Sequence, residues 1–220
     1  MYLPPHFKAQ DAAHAVELIR AYPLASLISN DDNGFPFVTH LPLHLEATGE
    51  GASQGANHGE SWCLLGHCAK PNPHWRYLQA RPEALVTFMG PHAYMTPRVY
   101  PDLVRVPTWN YLSVHAKVSV KLIEDPLAKD RLLKKLIGDH DPSYAPQWIA
   151  LGEAYQHKML AGIVAFELRV LEFQCKLKVN QHRPEAFDKM RALYAAGNDN
   201  ERALARWMDK LQAESRPSRN

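Results

Sequence analysis

The sequence lacks an excess of charge of either sign, a cysteine framework and any long apolar run. Lysine and arginine number 25 against 23 aspartate and glutamate, which argues against the basic surface typical of nucleic-acid binding. The three cysteines, Cys63, Cys68 and Cys175, match no redox or zinc spacing, so we expect free thiols. No stretch reaches the roughly 20 apolar residues of a membrane-spanning helix, and the first residues lack a basic, apolar leader. We therefore expect a cytoplasmic protein that binds no membrane.

What the sequence has is a hydrophobic content of 46% over 220 residues, enough for one large domain with a helical appendage. Patterns of period two predict strands over residues 24–29, 35–46, 61–69, 84–89, 109–124 and 162–179. Patterns of period near 3.6 and their stop signals predict helices over residues 11–22, 73–79, 126–137, 146–160, 184–196 and 198–213. Asp11 is the expected cap of the first helix, residues 31–34 are predicted to form a hairpin turn, and residues 109–124 alternate between apolar and polar side chains. The segments 47–60 and 92–107 read as loops, and 215–220 reads as a disordered tail.

Most of the predicted strands follow one another instead of alternating with helices. This order favours an antiparallel sheet closed into a barrel, with helices packed outside it. The predicted fold class is therefore α+β and mainly β, with peripheral and C-terminal helices. Pro36 and Pro42 interrupt the hydrogen-bond donors of the strand predicted at 35–46, which suggests an edge, a bulge or a place where the backbone faces a ligand.

Two segments, residues 37–43 and 65–75, carry the side chains that a phosphate needs. The Thr39 hydroxyl and the His40 ring can donate hydrogen bonds. Gly66 and Ala69 would let a ligand approach the backbone. Lys70 supplies a positive charge, and Asn72 opens a short helix whose free amides favour an anion. Each residue alone is also compatible with an ordinary strand or surface position; their order along the chain favours the binding interpretation. We call Thr39, His40, His67, Lys70 and Asn72 the candidate phosphate site.

Five motifs carry a family resemblance. They are T-H-L-P-L at 39–43, G-H-x-A-K-x-N-P-x-W at 66–75, G-P-x-A-Y at 90–94, V-P-T-W-N-Y at 106–111, and K-L-x-x-N-Q-x-R at 176–183. Together they resemble the PaiB family of FMN-binding negative transcriptional regulators. The resemblance implies an FMN-binding split β-barrel, related to pyridoxine phosphate oxidases and flavin reductase-type proteins. Such barrels are usually homodimers with the flavin between subunits, so the implied cofactor is FMN and the implied partner is a second copy.

The resemblance also assigns residues to the flavin. Its phosphate and ribityl chain would lie against Thr39, His40, Leu41, Leu43, Gly66, His67, Ala69, Lys70 and Asn72. A second wall, from either subunit, would come from Trp109, Asn110, Asn180, Gln181 and Arg183. Trp75 is interpreted as a packing residue of the short helix. No catalytic residue is assigned, and no metal is expected, because no carboxylate stands at a fitting spacing from the strand histidines.

The resemblance departs at Thr96-Pro97-Arg98, where the family often has serine before the proline and an aromatic residue after it. This leaves the role of that loop open.

Two other functions stay open at this point. A flavin-dependent oxidoreductase is one, although no glycine-rich Rossmann fingerprint is present for a nicotinamide. A haem-binding or haem-degrading split barrel is the other, with His92, His115 and His182 as possible axial ligands. The regulatory role is implied only by the family resemblance. Nothing in the sequence resembles a helix-turn-helix over a basic face, so whether the protein binds DNA directly stays open. We expect an FMN-binding domain at 1–183, a helical extension packed on it at 184–214, and the tail at 215–220.

Overall fold

The computed structural model describes residues 1–47, 62–102 and 104–215. The chain divides into two compact units. Unit one contains Met1–Ala9, Met89–Ser113 and Cys175–Asn220, and unit two contains Gln10–Phe88 and Val114–Gln174. Most of the loop predicted at 47–60, and the tail predicted at 215–220 beyond Ser215, lie outside the described residues. The predicted domain boundary after residue 183 stays a prediction.

In chain order, the helices and strands of the described residues are α1 (Ala12–Ala21), β1 (Leu24–Asn30), β2 (Pro36–Pro42), β3 (His44–Ala47), β4 (Trp62–Ala69), α2 (His74–Ala80), β5 (Glu83–Met95), β6 (Thr108–Ile123), α3 (Pro126–His140), α4 (Ala145–Ala150), α5 (Glu153–Ala161), β7 (Ile163–Lys178), α6 (Phe187–Ala195) and α7 (Asp199–Glu214). No helix in these described ranges is both long enough and apolar enough to cross a bilayer.

The strands form one sheet in the order β2-β1-β5-β6-β7-β4-β3. The pairs β1–β2, β1–β5, β3–β4 and β4–β7 are antiparallel. β2 and β3 stand at opposite ends of this order, yet only Leu43 separates them in the chain. The two ends of the sheet must therefore meet in unit two, as they do in a barrel. Leu41 of β2 accordingly packs beside Gly66 of β4, where an added Cβ would lie 3.0 Å from Leu41 Cδ1.

The prediction of one strand over 35–46 is wrong, because the chain changes partners at Pro42 and Leu43. Pro42 has no backbone N–H to donate, and the amide of Leu43 donates to the carbonyl of Pro23 at 3.1 Å. β2 pairs with β1, whereas β3 pairs with β4. The proline thus marks a bend that transfers the chain from one end of the sheet to the other.

Two further boundaries differ from the sequence prediction. β5 continues through Gly90 and Pro91 to Met95, because a proline φ near −65° is compatible with extended backbone. The first residues of the predicted loop 92–107 therefore belong to a strand. The single helix predicted at 146–160 is broken into α4 and α5, and Gly152 at the break has a φ of 76° and a ψ of 154°, a non-helical conformation that glycine adopts readily.

Several local predictions are confirmed. Asp11 caps α1 by accepting a hydrogen bond from the amide of Ala13 at 2.8 Å. The turn at 31–34 has Gly34 at a φ of 80°, and Asp31 accepts from the amides of Asn33 and Phe35. In β6 the side chains alternate, with Leu112, Val114, Ala116, Val118 and Val120 all buried.

The outer face of β4 and β7 in unit two is covered by α3. Leu132 and Leu136 of α3 form a buried apolar cluster with Leu65 of β4 and Ala165 of β7. Cys63 packs against the same cluster, while Cys68, five residues along β4, is buried on the other face. All three cysteines are free thiols, and burial raises the pKa of Cys175 to about 12.

Candidate functional site

A chain of side-chain hydrogen bonds joins β1 and β2 to the start of α2 in unit two. The amide nitrogen Nδ2 of Asn72 donates to Thr39 Oγ1 at 3.1 Å. His74 Nδ1 lies 2.7 Å from the same hydroxyl oxygen, and His74 Nε2 lies 3.0 Å from Ser29 Oγ. Ser29 and His74 are buried, while Thr39 and Asn72 are half-buried. We call these four residues the Thr39 network, and its half-buried end is a hydroxyl and an amide.

The protonation of His74 decides what the Thr39 hydroxyl can do. Burial lowers the pKa of His74 to about 4, so the ring is neutral near pH 7 and carries one N–H. With the proton on Nδ1, the ring and Asn72 both donate to Thr39, and the Thr39 proton is left to donate elsewhere. With the proton on Nε2, Thr39 donates to the ring instead. The network is satisfied in both tautomers, but only the first leaves Thr39 as a donor for a ligand.

Lys70 lies in the turn between β4 and α2. Its backbone amide donates to the carbonyl of Gly162 at 2.9 Å, and its carbonyl accepts from the indole nitrogen of Trp75 at 3.0 Å. The Lys70 side chain is exposed, and within the described ranges its ammonium forms no ion pair or hydrogen bond. Lys70 therefore has a fixed backbone and an ammonium that can contact an anion, while Trp75 anchors the short helix as predicted.

The free helix amides expected after Asn72 are only partly present. The amide of His74 already donates to Asn72 Oδ1 at 3.0 Å, and Pro73 has no N–H. α2 is also only seven residues long. The start of this helix is therefore given no anion-binding role, and the contribution of Asn72 comes from its side chain.

Gly66, Leu41 and Leu43 meet in the interior of unit two. A Cβ on Gly66 would lie 2.4 Å from Leu43 Cδ2 and 3.3 Å from Phe166 Cε2. Glycine is needed at this position because the two leucines fill the space beside it. The structure therefore brings these three predicted residues together, but as core packing. Ala69, also predicted, is exposed at the end of β4.

The two histidines of the candidate phosphate site do not share the surface of Thr39. His40 follows Thr39 on the strand and points to its other face, where Nδ1 lies 3.0 Å from Ser26 Oγ. His67 points away from the Gly66 face of β4. Its Nδ1 is buried and, in the described residues, has no hydrogen-bond partner, and burial lowers its pKa. Of the candidate phosphate site, the structure directly joins only Thr39 and Asn72, with Lys70 two residues before Asn72.

The predicted second wall lies in unit one. Trp109 is 54% exposed, and its ring lies 6.3 Å from the rings of both His92 and Tyr94. Asn110 is fully buried, and its amide nitrogen donates to Tyr194 Oη at 3.0 Å. Trp109 is thus the surface residue of this pair, whereas Asn110 faces the interior.

The predicted residues Asn180, Gln181 and Arg183 lie in a compact turn after β7, in which the Arg183 amide donates to the carbonyl of Asn180 at 3.0 Å. Asn180 has a φ of 61° and exchanges hydrogen bonds with the Tyr100 hydroxyl at 2.9 and 3.2 Å. Gln181 binds the backbone at both ends of its amide, accepting from Val179 and donating to the carbonyl of Leu177. Arg183 is exposed. The polar groups of Asn180 and Gln181 are therefore already engaged, and Arg183 is the one of the three whose side chain has no hydrogen bond or ion pair in the described ranges.

The sequence analysis does not identify His74 and Ser29 as site residues, although His74 lies within the second motif. It also does not predict the ion pair between His44 and Asp139. The pattern around Asp139 suggests only loop polarity, but Asp139 lies in α3, with its carboxylate 2.6 Å from His44 Nδ1. This pair lines a cleft of about 350 Å³ together with Ile19, Arg20 and Leu45. The sequence carries no signal for the pair because the two partners are 95 positions apart.

Comparison with known proteins gives the family. A family model described as "Putative FMN-binding domain" matches residues 1–172. The protease synthase and sporulation protein PAI 2 of Bacillus subtilis (strain 168) is 31% identical, over 96% of this chain and 99% of that protein.

Two solved structures share the fold. The flavocytochrome Anf3 from Azotobacter vinelandii has a TM-score of 0.59 at 18% identity, covering 80% of this chain and 71% of that one. The FAD and haem binding protein from Mycobacterium smegmatis has a TM-score of 0.54 at 18% identity, with 79% and 74% coverage. The predicted fold class, an α+β split β-barrel of flavin-binding proteins, is confirmed.

The match over residues 1–172 and the 31% identity over nearly the whole length of PAI 2 agree with the five sequence motifs. The chain belongs to the PaiB family of FMN-binding split β-barrel proteins.

Proposed function

We propose that the chain binds the FMN phosphate in unit two through the Thr39 hydroxyl and the Lys70 ammonium. The observation that carries this proposal is the Thr39 network, in which Asn72 and His74 both bind one hydroxyl oxygen. Hydroxyl and ammonium donors are the groups that bind phosphate oxygens. Bound FMN supplies the capacity for one- and two-electron transfer.

In this proposal His74 and Asn72 are positioning residues. Neutral His74, with its proton on Nδ1, donates a hydrogen bond to one lone pair of Thr39 Oγ1, and Asn72 Nδ2 donates to the other. The hydroxyl proton then has no partner inside the network and points to a phosphate oxygen. Ser29 stabilises this tautomer by donating to Nε2.

The test is a fluorescence-quench titration of the ligand-free chain with FMN. Thr39→Val keeps the shape of the side chain and removes the hydroxyl, so it should weaken FMN binding about tenfold. Thr87→Val, on β5 opposite Ser26, is the matched control and should bind FMN as the wild type does. Equal affinities of Thr39→Val and the wild type would remove Thr39 from the site.

We propose that the protein is a homodimer, with the exposed Trp109 and Arg183 of one copy forming the second wall. Support comes from the exposed aromatic side chains of unit one, since Trp109 and Tyr94 are about half exposed and aromatic residues are enriched at interfaces. Light scattering after size-exclusion chromatography tests this. A monomer mass at micromolar concentration, with FMN present, would contradict it.

For the biological role, we propose regulation of transcription in the cytoplasm that depends on the flavin and does not use a basic DNA-binding face. Support for a role in gene control comes from the five motifs that resemble the PaiB family of negative transcriptional regulators, the family to which the chain belongs. Support for the indirect route comes from α6 and α7, where two arginines are paired with acids: Arg191 binds Asp209 through two nitrogens, and Arg202 binds Asp199. A gel shift at 50 and 200 mM salt tests it; specific retardation of one promoter by the protein alone would contradict the indirect route.

A flavin-dependent oxidoreductase is the second candidate, favoured by the likeness in fold to a flavocytochrome. Stopped-flow reduction of the FMN-loaded protein by NADH or NADPH decides between the two. Reduction faster than that of free FMN favours an enzyme.

Haem binding, suggested by the name of the Mycobacterium smegmatis protein, is tested by a haem titration that follows the Soret band.

A further inference from the structure

Two lysines of β7 lie together in unit one. Lys176 is only 6% exposed, and its ammonium donates to the carbonyl of Tyr2 at 3.1 Å. The Lys178 ammonium donates to Thr108 Oγ1 at 2.7 Å. Both ammonium groups lie over the ring of Tyr111, at 5.0 and 5.7 Å from its centroid. Two cations thus share one aromatic ring on the same face of a strand.

Neither ammonium is neutralised by an acid. Over residues 1–47, 62–102 and 104–215 no carboxylate forms an ion pair with Lys176 or Lys178. Their partners are a carbonyl, a hydroxyl and aromatic rings, all of them uncharged. A buried cation is costly unless it is paired with an anion, and the two like charges repel each other. Burial and then the charge of Lys176 lower the pKa of Lys178, as expected for a cation that lacks a counterion.

We propose that Lys176, Lys178 and Thr108 form a second anion site, which binds the phosphate or carboxylate group of a small aromatic molecule. An anion between the two ammonium groups would offset both their repulsion and the loss of solvation. The Thr108 hydroxyl already accepts from Lys178, so its own proton is available to the anion. This site is separate from the Thr39 network and does not depend on the FMN proposal.

The aromatic part of the ligand follows from the surrounding rings. Tyr2 lies beside Lys176, with its ring centroid 5.7 Å from the ammonium, and it is 84% exposed. A planar ring attached to the anion could stack on Tyr2, which would add affinity beyond that of the charge alone.

The test uses isothermal titration calorimetry on the full chain with saturating FMN, so that the FMN site is already filled. The probes are phenyl phosphate, benzoate and inorganic phosphate. We expect saturable binding of at least one aromatic probe, tighter than that of inorganic phosphate. The affinities of phenyl phosphate and benzoate are then compared, which shows whether the site prefers a phosphate or a carboxylate.

Lys176→Met and Lys178→Met should each weaken that binding at least tenfold. Lys189→Met, an exposed lysine of α6 in the same unit, is the matched control and should change nothing. Because Lys176→Met removes a desolvated charge from a buried position, the melting temperature of the ligand-free chain should stay the same or rise. A merely structural Lys176 would instead lower it.

Three results would overturn the proposal. One is the absence of saturable binding for all three probes. Another is an equal loss of binding in the Lys189→Met control. The third is a loss of FMN affinity in Lys178→Met, with phenyl phosphate excluded by FMN, because the lysines would then belong to the FMN site itself. Should Lys176→Met fail to fold, Lys178→Met decides alone, because Lys178 is half-buried.

Discussion

His74 Nδ1 lies 2.7 Å from Thr39 Oγ1, so a buried ring and a half-buried hydroxyl share one proton. The ring belongs to the helix that follows β4, and the hydroxyl belongs to a strand at the end of the sheet. This one contact couples the protonation of the interior to the surface on which we place the FMN phosphate. Its strength can be measured both as protein stability and as ligand affinity.

The stability of the protein should fall below neutral pH because of His74. The pKa of His74 is lowered to about 4 in the folded chain, against about 6.5 in an unfolded one. Above pH 6.5 both states are neutral at this ring. As the pH falls from 6.5 to 4 the unfolded state takes up the proton first, so the free energy of unfolding should drop by up to about 3 kcal/mol. Urea denaturation between pH 7.5 and 4.5 measures this.

His74→Gln is the control for that pH series, because glutamine keeps a donor and an acceptor but does not titrate. His67 and His182 also have pKa values lowered by burial and act in the same direction. The variant should therefore show a shallower pH dependence, not a flat one. An identical slope in the variant and the wild type would exclude His74 as its source.

Lys70→Ala should weaken FMN binding by roughly 1.5–3 kcal/mol, the usual loss for a charge-assisted hydrogen bond to phosphate. The fold should tolerate the change, since the Lys70 side chain is exposed. Lys121→Ala, at an exposed position of β6, is the control. Titration by flavin fluorescence measures the affinities, and an unchanged dissociation constant in Lys70→Ala would exclude the ammonium from the site.

Gly66→Ala should destabilise the chain by about 1–3 kcal/mol through overpacking. The new methyl would lie 2.4 Å from Leu43 Cδ2 and 3.0 Å from Leu41 Cδ1, and both leucines are buried. Gly138→Ala is the contrasting variant: it lies in α3 with nothing within 4 Å of an added Cβ, so it should stabilise by up to about 1 kcal/mol. Thermal melts of both proteins test the pair, and two shifts of the same sign would contradict the close packing around Gly66.

Asn180→Ala should cost about 2 kcal/mol, because it removes the reciprocal hydrogen bonds with Tyr100 and places alanine at a φ of 61°. Asn180→Gly loses the same bonds but accepts this backbone conformation, so it should be the more stable of the two variants. Chemical denaturation compares them. If the alanine variant matched the glycine variant, the left-handed conformation would contribute nothing.

Local signals in the sequence are enough for much of the fold. The Asp11 cap, the Gly34 turn and the alternation of β6 depend on neighbours within a few residues, and each is predicted correctly. The alternation of residues 35–46 continues through the bend at Leu43, so the hydrophobic pattern does not reveal it. Pro42 suggests an irregularity at this place but not the change of partner strand. Only the choice of partner strand, which involves β1 on one side and β4 on the other, separates β2 from β3.

The site shows the same division. Thr39, Lys70 and Asn72 can be found because their residue types and order fit a phosphate. His74 is missed because its role depends on being buried against Ser29, 45 positions earlier. His40 enters the candidate phosphate site because it is next to Thr39, although adjacent residues on a strand point to opposite faces. Which of two neighbouring side chains lies in the site depends on which face of β2 packs against the start of α2, where Thr39 contacts His74.

The bend at Leu43 also bears on solubility. A sheet normally exposes the unpaired amides and carbonyls of its two outermost strands, which are templates for aggregation. In this sheet those strands are β2 and β3, a single stretch of chain with Pro36 and Pro42 at the ends of β2, and prolines carry no amide to offer a neighbouring chain. The bend that closes the barrel therefore also protects the protein from joining strand to strand with other copies.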